Sequence, residues 1–168
     1  MSTPAPLTAT GRTGILTVNS IVLSGPAWDT PDLSMLWVDA AQRGANRRVS
    51  GTPGVRFKRK RYDESPALIP LLVIGHFDPA GAVQANAMLG LQLNLETLRA
   101  GLVEPTVTGA VSVAASLARP GGGGTPRTAD VQCDLRVGDL RGGRVIGGVP
   151  TVARCICVLA LTIDGRFD

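Results

Sequence analysis

The run Ala67-Leu68-Ile69-Pro70-Leu71-Leu72-Val73-Ile74-Gly75-His76-Phe77, followed by the turn Asp78-Pro79-Ala80-Gly81, decides how the rest of the chain reads. Both of its alternating sets are apolar, Leu68, Leu72 and Ile74 on one side and Ile69, Leu71, Val73 and Phe77 on the other. That pattern predicts a strand covered on both faces. One cover is the helix predicted over residues 86–101, where Met88, Leu91, Leu95, Leu98 and Leu102 recur at spacings of three and four and form a single apolar stripe. Asn86 can cap its start, and Gly101 can end it in the left-handed conformation. The second cover is expected from further strands.

Those strands are legible on either side. Ile15–Val18 and Ile21–Leu23 flank Asn19-Ser20, a two-residue hairpin turn. Val111–Ala118 and Arg127–Leu135 flank the glycines Gly121 to Gly124, which read as a hairpin connection, since no lysine and hydroxyl residue follow them as in a phosphate-binding loop. Gly142, Gly143, Gly147 and Gly148 mark another turn. In the last run, Thr151 to Ile163, one face is wholly apolar (Ala153, Cys155, Cys157, Leu159, Leu161, Ile163) and the other mixes Arg154 and Thr162 with Ile156, Val158 and Ala160. This is a core strand half covered on its second side.

The chain's 168 residues allow one core and are too few for two ordinary domains. We expect residues 1–13 to be a flexible leader and residues 14–168 a single domain, with an arm or loop over 42–65. Aromatic residues make up only 4%, so the core must be built from aliphatic side chains, and each tryptophan carries a large share of whatever it buries. Trp28 and Trp37 are therefore either core anchors or subunit contacts. No run reaches the roughly 20 apolar residues of a membrane helix, and no membrane partner is expected.

The net charge of +4 is unevenly spread. Arg43, Arg47 and Arg48 lead into Arg56, Lys58, Arg59, Lys60 and Arg61, and the chain has no other lysine. Residues 42–54 read as a loop rich in Gly and Pro; Val55–Tyr62 alternates with charge on both faces, which suits an edge or a projecting hairpin better than a core strand. Such an arm can meet phosphates, as a cytoplasmic nucleic-acid-binding module would use it, or the acids of a neighbouring subunit. Phe57 and Tyr62 stand only at its ends, so bases have little to stack on, and the subunit contact is favoured.

No catalytic, cofactor or metal site is expected. His76 is the only histidine and has no nucleophile motif beside it, and it reads as a hydrogen-bonded residue at a strand end. Cys155 and Cys157 point the same way along a strand with about 6.6 Å between them, a poor disulfide spacing. With Cys133 they are an odd set that reads as reduced thiols and small buried hydrophobes.

Taken in order, Leu16-Thr17-Val18-Asn19, Trp28-Asp29-Thr30-Pro31-Asp32-Leu33, Arg43-Gly44-Ala45-Asn46-Arg47 with Gly51-Thr52-Pro53-Gly54, Leu71 to Gly81, and Leu91-Gln92-Leu93-Asn94-Leu95 resemble the minor tail proteins of long, non-contractile-tailed phages of actinobacteria, in the group similar to distal tail proteins. The resemblance covers residues 14–103; beyond them the likeness is only the all-β character. It implies a mainly β fold, a β-sandwich with one flanking helix of the tail tube and distal tail type. It further implies a virion protein, made in the bacterial host cytoplasm, that forms a hexameric ring at the tail tip. Its partners would be copies of itself, the tail tube protein and tail tip or baseplate proteins, with passive contact to DNA in the channel. The family has no catalytic residues to carry over. Val49-Ser50-Gly51 stands where such proteins often have a Leu-Pro-Gly loop, and there is no room for an additional C-terminal domain. A tail tube subunit or another tail ring therefore stays open beside the distal ring. On this reading the subunit-interface or channel residues are Trp28, Trp37, Arg43, Arg47, Arg48, Arg56, Lys58, Arg59, Lys60 and Arg61.

Overall fold

Asn19 and Ser20 both adopt positive φ (47° and 66°), the conformation that a two-residue hairpin turn requires, and join β1 (Ile15–Val18) to β2 (Ile21–Val22) as expected. This computed structural model describes residues 14–37, 42–43, 47–48, 55–56, 61–62, 65–103, 113–118, 125–143 and 145–163. After β2 the chain turns back into β3 (Trp28–Asp29) and a 3₁₀ turn, Ser34–Trp37, whose start is capped by Asp32 through the Ser34 N–H at 2.8 Å. The arm contributes four short strands, β4 (Gln42–Arg43), β5 (Arg47–Arg48), β6 (Val55–Arg56) and β7 (Arg61–Tyr62). The long elements follow: β8 (Ser65–Ile74), α1 (Ala87–Leu102), β9 (Val113–Ala118) and β10 (Arg127–Gly142). A small hairpin of β11 (Val145–Ile146) and β12 (Val149–Pro150) leads into β13 (Ala153–Ile163).

Seven of these strands form one sheet in the order β2-β1-β9-β10-β13-β8-β3, and every neighbouring pair is antiparallel. Ser24, just past β2 at one end of this order, bridges Asp29 in β3 at the other, so the sheet curls until its ends meet. Thr30 secures the junction, its N–H and its hydroxyl both donating to the Leu23 carbonyl at 3.2 and 3.0 Å. Trp28 is buried there and donates its indole N–H to the Val22 carbonyl at 3.0 Å.

The predicted inner faces are borne out residue by residue. Ala153, Cys155, Cys157, Leu159, Leu161 and Ile163 are buried, as are Ala67, Ile69, Leu71 and Val73 of β8, and together with Leu16, Val18, Leu117 and Val131 they belong to one core. The helix lies against this face with Leu91, Leu95, Leu98 and Leu102 buried. Asn86 is its cap, accepting from the Met88 and Leu89 N–H groups at 3.1 and 3.2 Å.

Three expectations need correction. The helix does not end on a left-handed glycine: Gly101 lies inside α1, and the cap is Val103 at φ −119°. Residues 42–54 are not all loop, because Gln42–Arg43 and Arg47–Arg48 pair with β7 and β6 in two short ladders. Most consequentially, β8 is covered on one face only. Leu68 is 53% exposed, and Ile156, opposite Leu72 on β13, is 64% exposed; among the described residues no second layer lies over them. The two-sided apolar pattern arose because the outer row is apolar without being fully buried.

The helix and sheet approach each other most closely at two glycines. A Cβ on Gly75 would collide with the Ala87 carbonyl and the backbone of Leu91, and a Cβ on Gly90 would collide with the Gly75 carbonyl. Inside a helix, glycine to alanine ordinarily stabilises by about 1 kcal/mol. Here Gly90→Ala should destabilise instead, lowering the denaturation midpoint, since backbone blocks the new methyl group. Gly101→Ala meets only the end of the Ile21 side chain, which can rotate aside, so its midpoint should stay close to wild type. Chemical denaturation of both variants checks this; a Gly90→Ala protein as stable as wild type would show that the two backbones are not in contact.

Candidate functional site

Of the basic residues singled out from the sequence, Arg43, Arg47, Arg48, Arg56 and Arg61 fall on the paired strands of the arm. The backbone register sets Arg43 opposite Arg61 in one two-stranded ladder and Arg47 opposite Arg56 in another. So dense a run of positive charge in the sequence favours an anionic counterpart. Neither short ladder joins the seven-stranded sheet. Lys58, Arg59 and Lys60 lie outside the described residues. Trp28 belongs to the core, which removes it from the surface contacts, and Trp37 ends the 3₁₀ turn.

The loop after β8 is held by a buried amide. Asn94, 3% exposed on the sheet-facing side of α1, donates both Nδ2 hydrogens, to the Ile74 carbonyl at 2.8 Å and the Phe77 carbonyl at 2.9 Å. Asp78 then forms the expected turn, accepting from the Ala82 N–H at 2.7 Å on its side chain and from the Gly81 N–H at 3.0 Å on its carbonyl. His76 departs from its expected role: both ring nitrogens are buried without a hydrogen-bond partner among the described residues, and its ring packs edge-on against Phe77 at 4.8 Å. It therefore sits in the loop as a packing group.

The cysteines are free, with Cys155 and Cys157 buried and their sulfurs 3.6 Å apart on the inner face of β13. Burial pushes the Cys133 thiol up to about 12. Burial, followed by the hydrogen bond and charge of Cys155, does the same for Cys157, also to about 12. Among the described residues no three His, Cys, Asp or Glu side chains stand together as metal ligands.

The feature that the sequence reading missed is on the outer face of the sheet. A cleft of about 450 Å³ is lined by Leu72 and Ile156, with Asp139, Arg141 and Arg154 around it. Arg141 stands directly opposite Arg154 across β10 and β13. The signal was present in Asp139 and Arg141 of one run and Arg154 and Ile156 of another, but which rows become neighbours depends on strand order.

Two measurements test this local chemistry. In Asn94→Asp the carboxylate would face two carbonyl oxygens with no proton to give; leaving two buried acceptors unpaired costs about 1–3 kcal/mol each, so this variant should unfold at much lower denaturant than Asn94→Ser. The Cys133 and Cys157 thiols should resist alkylation at about pH 8 in the folded protein and react rapidly in denaturant, because a thiolate is the nucleophile. Their ordinary value of 9.0 rises to about 12 on folding, so this contribution to stability is complete below 9 and lost as pH climbs through 12. Fast alkylation of Cys157 in the native state would contradict its burial.

No family model, no curated protein and no solved structure matches this chain.

Proposed function

We propose that this protein is a structural subunit of a long, non-contractile phage tail, forming a ring, hexameric by the resemblance, at the distal end of the tail tube where the tube meets the tip. The observation that carries most weight is the basic segment Arg43 to Arg61, whose described strands pair with each other in two short ladders outside the seven-stranded sheet. An element of that kind gains little from its own chain and much from acids on an adjacent copy. The order of motifs from Leu16 to Leu95 supports the tail assignment, and the curled sheet with one helix on its inner face suits a layer of the β-sandwich found in tail tube and distal tail proteins. The role is mechanical, not catalytic, and its place is the virion tail.

Closed cyclic assembly needs a heterologous contact, each subunit offering one surface to the next, and the arm provides one half of it. Arg59→Glu with Arg61→Glu should leave the subunit's melting unchanged while blocking ring and tail assembly, scored by electron microscopy of particles. Normal tails from the double variant would end the assembly role. Salt-sensitive DNA binding by a chain that stays monomeric would instead support the nucleic-acid-binding reading of the same arm.

A further inference from the structure

The outer face of β10, β13 and β8 carries a pattern that none of the preceding accounts uses. Along β10 the charges alternate: Asp134, Arg136, then Asp139 within the bulge between Val137 and Leu140, where it lines the cleft with Ile156, and Arg141 beyond it. All four residues are exposed, and the Arg136–Asp134 ion pair at 3.3 Å lies in solvent, where it contributes little. Beside this row the outer positions of β13 and β8 are apolar, Ile156 and Val158 on one and Leu68, Pro70 and Leu72 on the other. Arg141 and Arg154 face each other at one rung, and neither makes an ion pair among the described residues.

We infer that this face is an isologous interface between two copies of the chain. A two-fold axis lying along the face, perpendicular to the strands and level with Cys157, sets each strand over its own copy running the other way. The register then determines every pair. Arg141 falls over the partner's Asp134, and Arg136 over the level of the partner's Ile156, where Asp139 lines the cleft from the bulge; by symmetry both contacts occur twice. Ile156 falls over the partner's Val158, and Leu72 over the partner's Pro70. Arg154 falls over the partner's Ala160, whose rung neighbour is Asp134, so one carboxylate meets both of the opposed arginines. The charge pairs are opposite in sign, and Ile156, Val158, Leu72 and Pro70 near the axis meet apolar positions, which is what self-complementarity about a two-fold requires. Sheets stacked face to face lie about 10 Å apart with twist separating their corners, so the pairs nearest the axis carry the contact. This inference does not rest on the tail reading, since it follows from charge order and register alone.

The test is sedimentation equilibrium of the full chain over a range of concentrations, run also in the Arg59→Glu/Arg61→Glu background so that contacts through the arm do not intrude. The expected result is a dimer. Arg136→Asp alone sets acid against acid at both symmetric contacts, and Asp139→Arg alone sets base against base, so each should weaken association by roughly tenfold or more. An equimolar mixture of the two variants should associate again, because in the mixed pair both contacts join Asp to Arg. Ile156→Lys, at a position already 64% exposed, should weaken the dimer without loss of fold. A background protein that stays monomeric at every concentration, single variants that associate like their parent, or a mixture that stays dissociated would each overturn the interface.

Discussion

The contact on which the arrangement depends is the meeting of two backbones, the end of β8 and the first turn of α1, at Gly75 and Gly90. With no side chain on either residue, the helix comes down directly onto the strand and places Leu91, Leu95 and Leu98 over β8, β10 and β13. Asn94 then closes the corner by donating to both sides of the loop, at Ile74 and Phe77. A buried amide with both hydrogens used is stable in an apolar corner, whereas either carbonyl left alone would not be. Geometry and hydrogen bonding thus act on the same few residues, and the rest of the core is filled in around them.

Because the helix occupies one side of a single curled sheet, the two faces of that sheet have different fates. The inner rows reach almost complete burial, and aliphatic residues suffice to fill them despite the shortage of aromatics. The outer rows of the same strands remain open, and there the apolar residues of β8 and β13 run beside a row of alternating charge on β10. Apolar surface contiguous over neighbouring strands and edged by charge is uncommon on a protein that works alone.

Positive charge is handled in the same way at two separate places. In the arm, Arg43 faces Arg61 and Arg47 faces Arg56; on the sheet, Arg141 faces Arg154. The opposed Arg141 and Arg154 lower the stability of the isolated chain and are relieved by carboxylates from outside. A subunit whose unfavourable charge pairs coincide with its uncovered surfaces is suited to assembly. Both the ring contact proposed for the arm and the two-fold contact proposed for the sheet draw on this property, through different residues.

The sequence by itself determined the elements that local pattern specifies: the Asn19-Ser20 turn, the Asn86 cap, the leucine stripe of α1 and the inner face of β13, since periodicity and cap chemistry act over a few residues. It also located the basic arm, because charge density is visible without a fold. Tertiary structure alone decided the rest. An apolar row on β8 looks the same whether a second layer covers it or not, and only the curl of one sheet with its helix inside leaves Leu68 and Ile156 open. Gly101 resembled a helix terminator and serves instead to admit Ile21, a contact between residues 80 positions apart. The outer charge row became a surface with a symmetry of its own only when β10 paired with β13, because register between distant strands is set by packing and not by either strand's own residues.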